Sequence, residues 1–288
     1  MALLAVILCL LALAALLLIV AVVMSSFLTR RYYLIETRSP AEVGLAFENV
    51  AFRSSDGLLL CGWWIPAPGS DRAIVQLHGH AGSMDPDVQY LPTWHAAGFN
   101  VLTFDFRAHG RSEGRATTFG YLERYDVQGA IRFLKQEKGM RRIALVGFSL
   151  GGIVALLSAP ICPEVDVVVE DGAPARLRSA LTARLVESHL PAWFAPFLAR
   201  TAIVGASLRL GANLFRYEPV RWVGKIAPRP LLIIHGELDQ YCPDFEDLLT
   251  AAHPTEVWRL PGVGHVQASV VYPEEYRQRV VAFLNRHL

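Results

Sequence analysis

Ser149 stands in Gly147-Phe148-Ser149-Leu150-Gly151, between the apolar run Ile143-Ala144-Leu145-Val146 and a second apolar run at 153–157 with helical composition. A buried strand, a tight turn with a serine at its apex and a helix make a nucleophile elbow. The apex residue is strained, and only residues without Cβ can crowd two positions before and after it, where Gly147 and Gly151 stand. The turn presents the serine Oγ above the sheet, at the positive end of the next helix. The chemistry on offer is attack on a carbonyl and formation of an acyl-enzyme.

A serine nucleophile needs a base, and the base needs an orienting acid. In an elbow fold both follow the serine, acid first. Asp239 follows the strand-like run 231–234, in His235-Gly236-Glu237-Leu238-Asp239. That is a carboxylate at a strand's carboxyl end, the rim where open parallel sheets build sites. His265 follows the run 256–260, in Pro261-Gly262-Val263-Gly264-His265. The glycines let this loop swing the imidazole back toward the serine. A loop aspartate is ordinarily a cap or turn residue, and a lone loop histidine is ordinarily just solvated. The two in this order, at successive strand ends, form the expected base and acid. Asp171, after the run 165–169, is the alternative acid. Asp105, also at a strand end, reads as structural.

The transition state needs two donors for the oxyanion. The backbone N–H of Leu150 is one. The other is expected from the loop after His78-Gly79, on the N–H of His80, with Ala81 as the alternative. The His78 side chain reads as a loop stabiliser. The polar, glycine-rich stretch 105–114 is expected to buttress the oxyanion loop, with substrate contact by Arg107 or Arg111 as the alternative reading.

The elements that must position these residues are legible as alternating runs. Strands are expected at 45–53, 58–65, 73–77, 100–104, 142–146, 165–169, 231–234 and 256–260. Helices are expected at 88–97, interrupted early by Pro92, and at 122–136, 153–157, 245–252 and 274–288. Strand and helix alternate, which predicts a mostly parallel sheet with helices on both faces. Residues 173–227 break the rhythm with helical stretches and no clear strand, and form a candidate cap.

The chain has 288 residues and a net charge of +1, so nothing in its electrostatics favours a nucleic-acid partner. Cysteines at 9, 61, 162 and 242 have neither disulfide-framework nor metal-ligand spacing. No metal and no cofactor is implied. Reduced thiols fit a cytoplasmic catalytic domain.

Residues 2–24 are an unbroken apolar run, long enough at about 1.5 Å per residue to cross a hydrocarbon core of roughly 30 Å. Arg30, Arg31, Tyr32 and Tyr33 follow, the aromatics and cations that an interface takes up. No cation precedes the run, so the positive-inside rule puts the catalytic domain in the cytoplasm. A cleaved signal peptide is the competing reading, but it calls for a charged n-region and a shorter core. The expected organisation is a membrane anchor at 1–28, a juxtamembrane linker at 29–44 and a catalytic domain at 45–288 with the cap insert at about 173–227.

His78-Gly79, Asp105-x-Arg107-x-x-Gly110-x-Ser112-x-Gly114, Gly147-x-Ser149-x-Gly151, His235-Gly236-x-x-Asp239 with Pro243, and Gly264-His265 together resemble the α/β-hydrolase superfamily, over about residues 45–288. Within it the chain is similar to serine-aminopeptidase-like and Bem46-like hydrolases, several of which carry an N-terminal membrane anchor. The resemblance implies an α/β-hydrolase fold with Ser149 as nucleophile, Asp239 as acid and His265 as base. Ala108 departs from the pattern, which usually has glycine there; as a small residue it is expected to disturb little. The function expected is a membrane-anchored serine hydrolase acting on an ester or thioester of a small-molecule or acyl substrate. A serine peptidase is the enzymatic alternative, although Glu187 and Glu218 are the only acids the insert offers to clamp a substrate amine. A non-catalytic, membrane-tethered binding protein on a hydrolase scaffold is the alternative of a different class.

Overall fold

The computed structural model describes residues 2–33, 37–80 and 82–288; Met1, residues 34–36 and Ala81 lie outside it, and with Ala81 the alternative oxyanion donor. The expected apolar runs become strands β1 Glu48–Arg53, β2 Leu59–Ile65, β3 Arg72–Leu77, β4 Asn100–Phe104, β5 Arg142–Phe148, β6 Val167–Asp171, β7 Leu231–Gly236 and β8 Glu256–Leu260. They join in one sheet in the order β1-β2-β4-β3-β5-β6-β7-β8. The β1/β2 and β2/β4 pairs are antiparallel and the rest parallel. The β1–β2 connection is too short for a crossover and must return antiparallel. Ser54 closes it, its Oγ accepting from Leu58 N at 2.9 Å.

The helices are α1 Ala2–Leu28, α2 Leu91–Ala96, α3 Glu123–Gln136, α4 Leu150–Ser158, α5 Leu177–Glu187, α6 Ala195–Leu210, α7 Pro219–Trp222, α8 Phe245–Ala252, α9 Ala268–Val271 and α10 Pro273–His287. Successive side chains of a strand point to opposite faces. Ile143 and Leu145 of β5 therefore pack with α3, α4 and α8, and Ala144, Val146 and Phe148 with α2 and α10. Both faces are covered, which is why the inner strands read as continuous apolar runs.

Two local expectations shift, and one element is new. Pro92 does not interrupt a helix. It lies in the first turn of α2, where its missing N–H has no partner to lose, and Asp85–Tyr90 ahead of it is a 3-10 turn. β6 runs two residues further than its apolar run, so Asp171 ends the strand rather than following it. The four-residue α9 is too short for any periodicity to reveal.

Between β6 and β7 the chain forms α5, α6 and α7 and, among the described residues, no strand. The C-terminal third of α1 packs on α6. A Cβ at Gly205 would run into the Ala21 carbonyl, and Arg209 donates to Ser26 Oγ at 2.9 Å. Met24 joins Leu185, Ala195 and Ala199, and Leu28 joins Leu177, Ile203 and Ala206. The earlier part of α1 is exposed, Leu3 at 75% and Ile19 at 59%.

Candidate active site

The elbow forms because β5 delivers Ser149 directly onto the start of α4. Ser149 has φ +52° and ψ −109°, a conformation that side-chain-bearing residues rarely adopt. Its N–H is held by the Asp171 carbonyl at 2.9 Å. A Cβ at Gly147 would strike the Gly151 carbonyl, and one at Gly151 would strike the Leu77 carbonyl. Both glycines of the motif are thus required by close backbone approach.

The β7 and β8 loops bring Asp239 and His265 to this serine. His265 Nε2 lies 2.8 Å from Ser149 Oγ, and His265 Nδ1 lies 2.8 Å from Asp239 Oδ2. A carboxylate only accepts, which assigns the proton to Nδ1 and leaves Nε2 free to accept from the hydroxyl. The other Asp239 oxygen accepts from Tyr241 N at 2.9 Å. The Asp239 side chain is 1% exposed and His265 is 23% exposed, so the acid is shielded while the base meets solvent. Gly172, φ +72°, leaves room for the imidazole: a Cβ there would sit 3.3 Å from His265 Nδ1.

Asp171 is buried beside this set without bonding the histidine. Its Oδ2 and the hydroxyl of nearby Tyr276 have no hydrogen-bond partner among the described residues. Burial pushes the Asp171 carboxyl up to about 7, against the opposing pull of nearby Tyr276 and His265.

The loop after β3 lies against the elbow. A Cβ at Gly79 would sit 3.6 Å from the Phe148 carbonyl and 3.8 Å from Ser149 Cβ. His78 is fully buried and neutral, its pKa driven well below the usual value by burial. Its Nε2 accepts from Phe106 N at 3.0 Å, so Nδ1 carries the proton and donates to the Gly79 carbonyl at 2.6 Å. Carbonyl and N–H of a trans peptide point opposite ways, so this bond turns the His80 N–H away from His78.

The 105–114 loop is structural, as expected. Asp105 accepts from Met84 N and Arg111 N, both at 2.8 Å. The alternative reading of Arg107 and Arg111 as substrate contacts is not what their partners support. Arg107 is buried against Asp126 and Asp56, and Arg111 makes a bidentate pair with Asp85. Ala108 has φ +56°, which explains why glycine suits the position and shows that alanine is not free of strain there.

Four residues near the site are not marked as part of it by the sequence, in which Tyr32 reads only as an interface aromatic. Val266, directly after His265, has φ +51°, a real outlier for a β-branched residue. Phe119, φ +52°, and Tyr32 flank the His80 ring. Tyr241 meets the His265 ring edge-on at 4.7 Å. One mixed set of donors, His235, Asp239 and Cys242, has its ligand atoms within 4.8 Å of one another. Both Asp239 oxygens are already engaged, so a cation there would compete with His265 for the carboxylate.

The model of the alpha/beta hydrolase family matches residues 74–283, a span that holds the elbow and both of its partner residues. The chain belongs to the alpha/beta hydrolase family. It is 30% identical over 251 residues to the uncharacterized protein YfhR of Escherichia coli (strain K12), covering 82% of this chain and 80% of that one. It is 31% identical over 202 residues to the uncharacterized protein YqkD of Bacillus subtilis (strain 168), covering 68% and 65%. The esterase Pf2001 of Pyrococcus furiosus superposes with a TM-score of 0.74 at 26% identity, over 90% of this chain and 98% of that chain. The alpha/beta hydrolase GrgF of Penicillium superposes with a TM-score of 0.64 at 24% identity over 84% and 99%, a likeness of fold alone.

Proposed function

We propose that this hydrolase is a membrane-anchored serine enzyme that cleaves carboxylic ester or thioester bonds through an acyl-enzyme. The observation that carries the reading is His265 hydrogen-bonded on one side to Ser149 and on the other to Asp239. In the proposed mechanism Ser149 Oγ attacks the substrate carbonyl while its proton passes to His265 Nε2. Asp239 holds the imidazole in the tautomer that can take it and stabilises the cation that forms. The N–H groups of Leu150 and His80 receive the oxyanion. Collapse expels the alcohol or thiol with the proton from His265. Water, deprotonated by the same nitrogen, then releases the acid and restores the serine. The esterase Pf2001 on the same fold favours an ester over an amide.

The peptidase alternative needs a free carboxylate to hold a substrate amine. Glu187 is already bonded to Tyr241 Oη at 2.5 Å and Arg184 at 2.8 Å, and Glu218 is buried beside Arg221. The anchor reading rests on α1, in which residues 2–19 extend about 27 Å at 1.5 Å per residue and side chains such as Leu3 and Ile19 are exposed. Trp193 and Leu208, 82% and 72% exposed on the insert beside α1, are apolar side chains of the kind an interface accepts. We take 1–28 as the anchor, 29–44 as the connection to the catalytic domain at 45–288, and the helical insert at about 173–227 as its cap.

The test is Ser149→Ala in the full-length chain. Hydrolysis of p-nitrophenyl esters and labelling by a fluorophosphonate probe should both be lost while the melting transition persists. A folded alanine variant with wild-type turnover would remove the central claim. A wild-type chain that neither turns over nor labels would favour the binding-protein alternative.

A further inference from the structure

The chain leaving α1 is tied into the site by the loop that supports its oxyanion donor. Thr29 is buried, and its carbonyl accepts from Thr117 N at 3.2 Å. Tyr32 forms a parallel bridge with the 105–114 loop: its N–H donates to the Ala108 carbonyl at 2.8 Å, and its carbonyl accepts from Gly110 N at 3.0 Å. The Arg31 guanidinium donates to the Gly110 and Gly114 carbonyls, both at 2.9 Å. The Gly110 N–H is shared, and also donates at 2.8 Å to the Gly82 carbonyl, in the loop that begins at Gly79 and His80. The Tyr32 ring meets the His80 ring edge-on at 4.3 Å and lies flat over His109 at 5.3 Å. Phe119 closes the other side of His80 at 5.5 Å.

An oxyanion donor works only when it is held within about 0.5 Å of its place before the reaction starts. The donor follows Gly79, whose carbonyl is held by His78 Nδ1, and Gly82 has φ +89°, a conformation glycine adopts without strain. Beyond that bond, Gly82 is held by the shared Gly110 N–H and the His80 ring by the Tyr32 ring. We propose that Arg31 and Tyr32 are positioning residues, a strap that fixes the oxyanion loop, so that the exit of the apolar helix sets the place of the His80 N–H. The proposal rests on the serine-hydrolase reading above. It adds that residues outside the family-matched span are needed for full kcat.

The experiment uses the full-length chain in detergent with Tyr32→Ala, Tyr32→Phe and Arg31→Gln, each checked for a wild-type melting transition. Removing an oxyanion donor costs about 10²–10³-fold in kcat, so a loosened donor should cost about 10–10²-fold. Tyr32→Ala and Arg31→Gln are expected to lose that factor in kcat with KM within about 3-fold of wild type. Both should bind a trifluoromethyl ketone, which becomes a tetrahedral adduct, more weakly by a similar factor. The Tyr32 hydroxyl has no hydrogen bond among the described residues, so Tyr32→Phe should keep wild-type kcat. Wild-type kcat and ketone affinity in Tyr32→Ala would overturn the proposal, as would an equal loss in Tyr32→Phe. If Tyr32→Ala fails to fold, Arg31→Gln decides on the same readouts. Turnover that survives Ser149→Ala would instead remove the underlying reading, and the strap with it.

Discussion

Two aspartates end up beside one histidine, and their partners separate their roles. Asp239 bonds His265 Nδ1, while Asp171 gives its backbone carbonyl to Ser149 and keeps a buried carboxyl oxygen without a partner. Asp239→Asn should therefore keep the fold but lower turnover by roughly 10⁴-fold, because it disfavours the productive tautomer. Asp171→Asn should lower turnover far less, and the opposite ranking would transfer the acid role. Asp171 makes a second prediction. Its carboxyl is raised from 3.8 to about 7 by burial, so the folded protein holds more protons than the unfolded chain between those values. Stability attributable to this group falls as pH rises through that window and is fully lost above it. Asp171→Asn removes that penalty. Its urea midpoint relative to wild type should improve between pH 4 and pH 8; a pH-independent difference would contradict the assignment. Ala108 offers a smaller test. At φ +56° alanine is strained, so Ala108→Gly should be neutral or stabilising by up to about 1 kcal/mol in thermal melts, despite the entropy glycine adds to the unfolded chain.

The strand–turn–helix unit of β5 and α4 is closed by backbone contacts that admit no side chain at Gly151. Gly151→Ala should drive a methyl into the Leu77 carbonyl, pushing α4 away from β3. The expected loss is about 1–3 kcal/mol in denaturant titrations, with hydrolase activity lost together with stability. A fully stable, fully active Gly151→Ala would mean the elbow is looser than its geometry. The contact between α1 and α6 rests on the same kind of approach at Gly205. Gly205→Leu should part the two helices, and limited proteolysis should then cut between residues 29 and 44 faster than in wild type, with the sheet unaffected.

On the proposed anchor reading, the placement of the hydrolase relative to a bilayer depends on where α1 ends. Residues 21–28 are partly spent on α6, and the strap begins at residue 29, so the catalytic domain lies directly at the end of the apolar helix. Of the two cations read as marking the inner face, Arg31 is committed to loop carbonyls, while Arg30 is exposed. Cleavage near Ser25 would remove Ala21 and Met24 and uncover the α6 face they cover. We expect carbonate washing to leave the full-length chain in the membrane pellet, and a reporter fused after Leu288 to read cytoplasmic. A mature chain beginning at Ser25 or Ser26, or a reporter active outside, would defeat this topology and leave the catalytic reading intact.

The amino-acid sequence by itself determined whatever depends on local pattern. The buried strands read as apolar runs because they are covered on both faces, and the elbow reads as two glycines around a serine because its crowding is between residues close in the chain. The order serine, Asp239, His265 was legible because in a parallel sheet the loops at successive strand ends converge on one edge. What only the tertiary structure decided involves partners far apart in the chain. Asp171 and Asp239 look alike as strand-end acids, and it is the reach of the β8 loop that gives His265 to Asp239. Substrate contact by Arg107 stays open as an alternative in the sequence, and it is Asp126 and Asp56, distant in sequence, that neutralise it. Residues 29–44 read as a linker, because a one-residue bridge from Tyr32 to Ala108 and Gly110 has no periodicity to announce it. The positive φ at Val266 and Phe119 was illegible for the same reason: it is imposed by packing around the site and opposes the local preference of those residues.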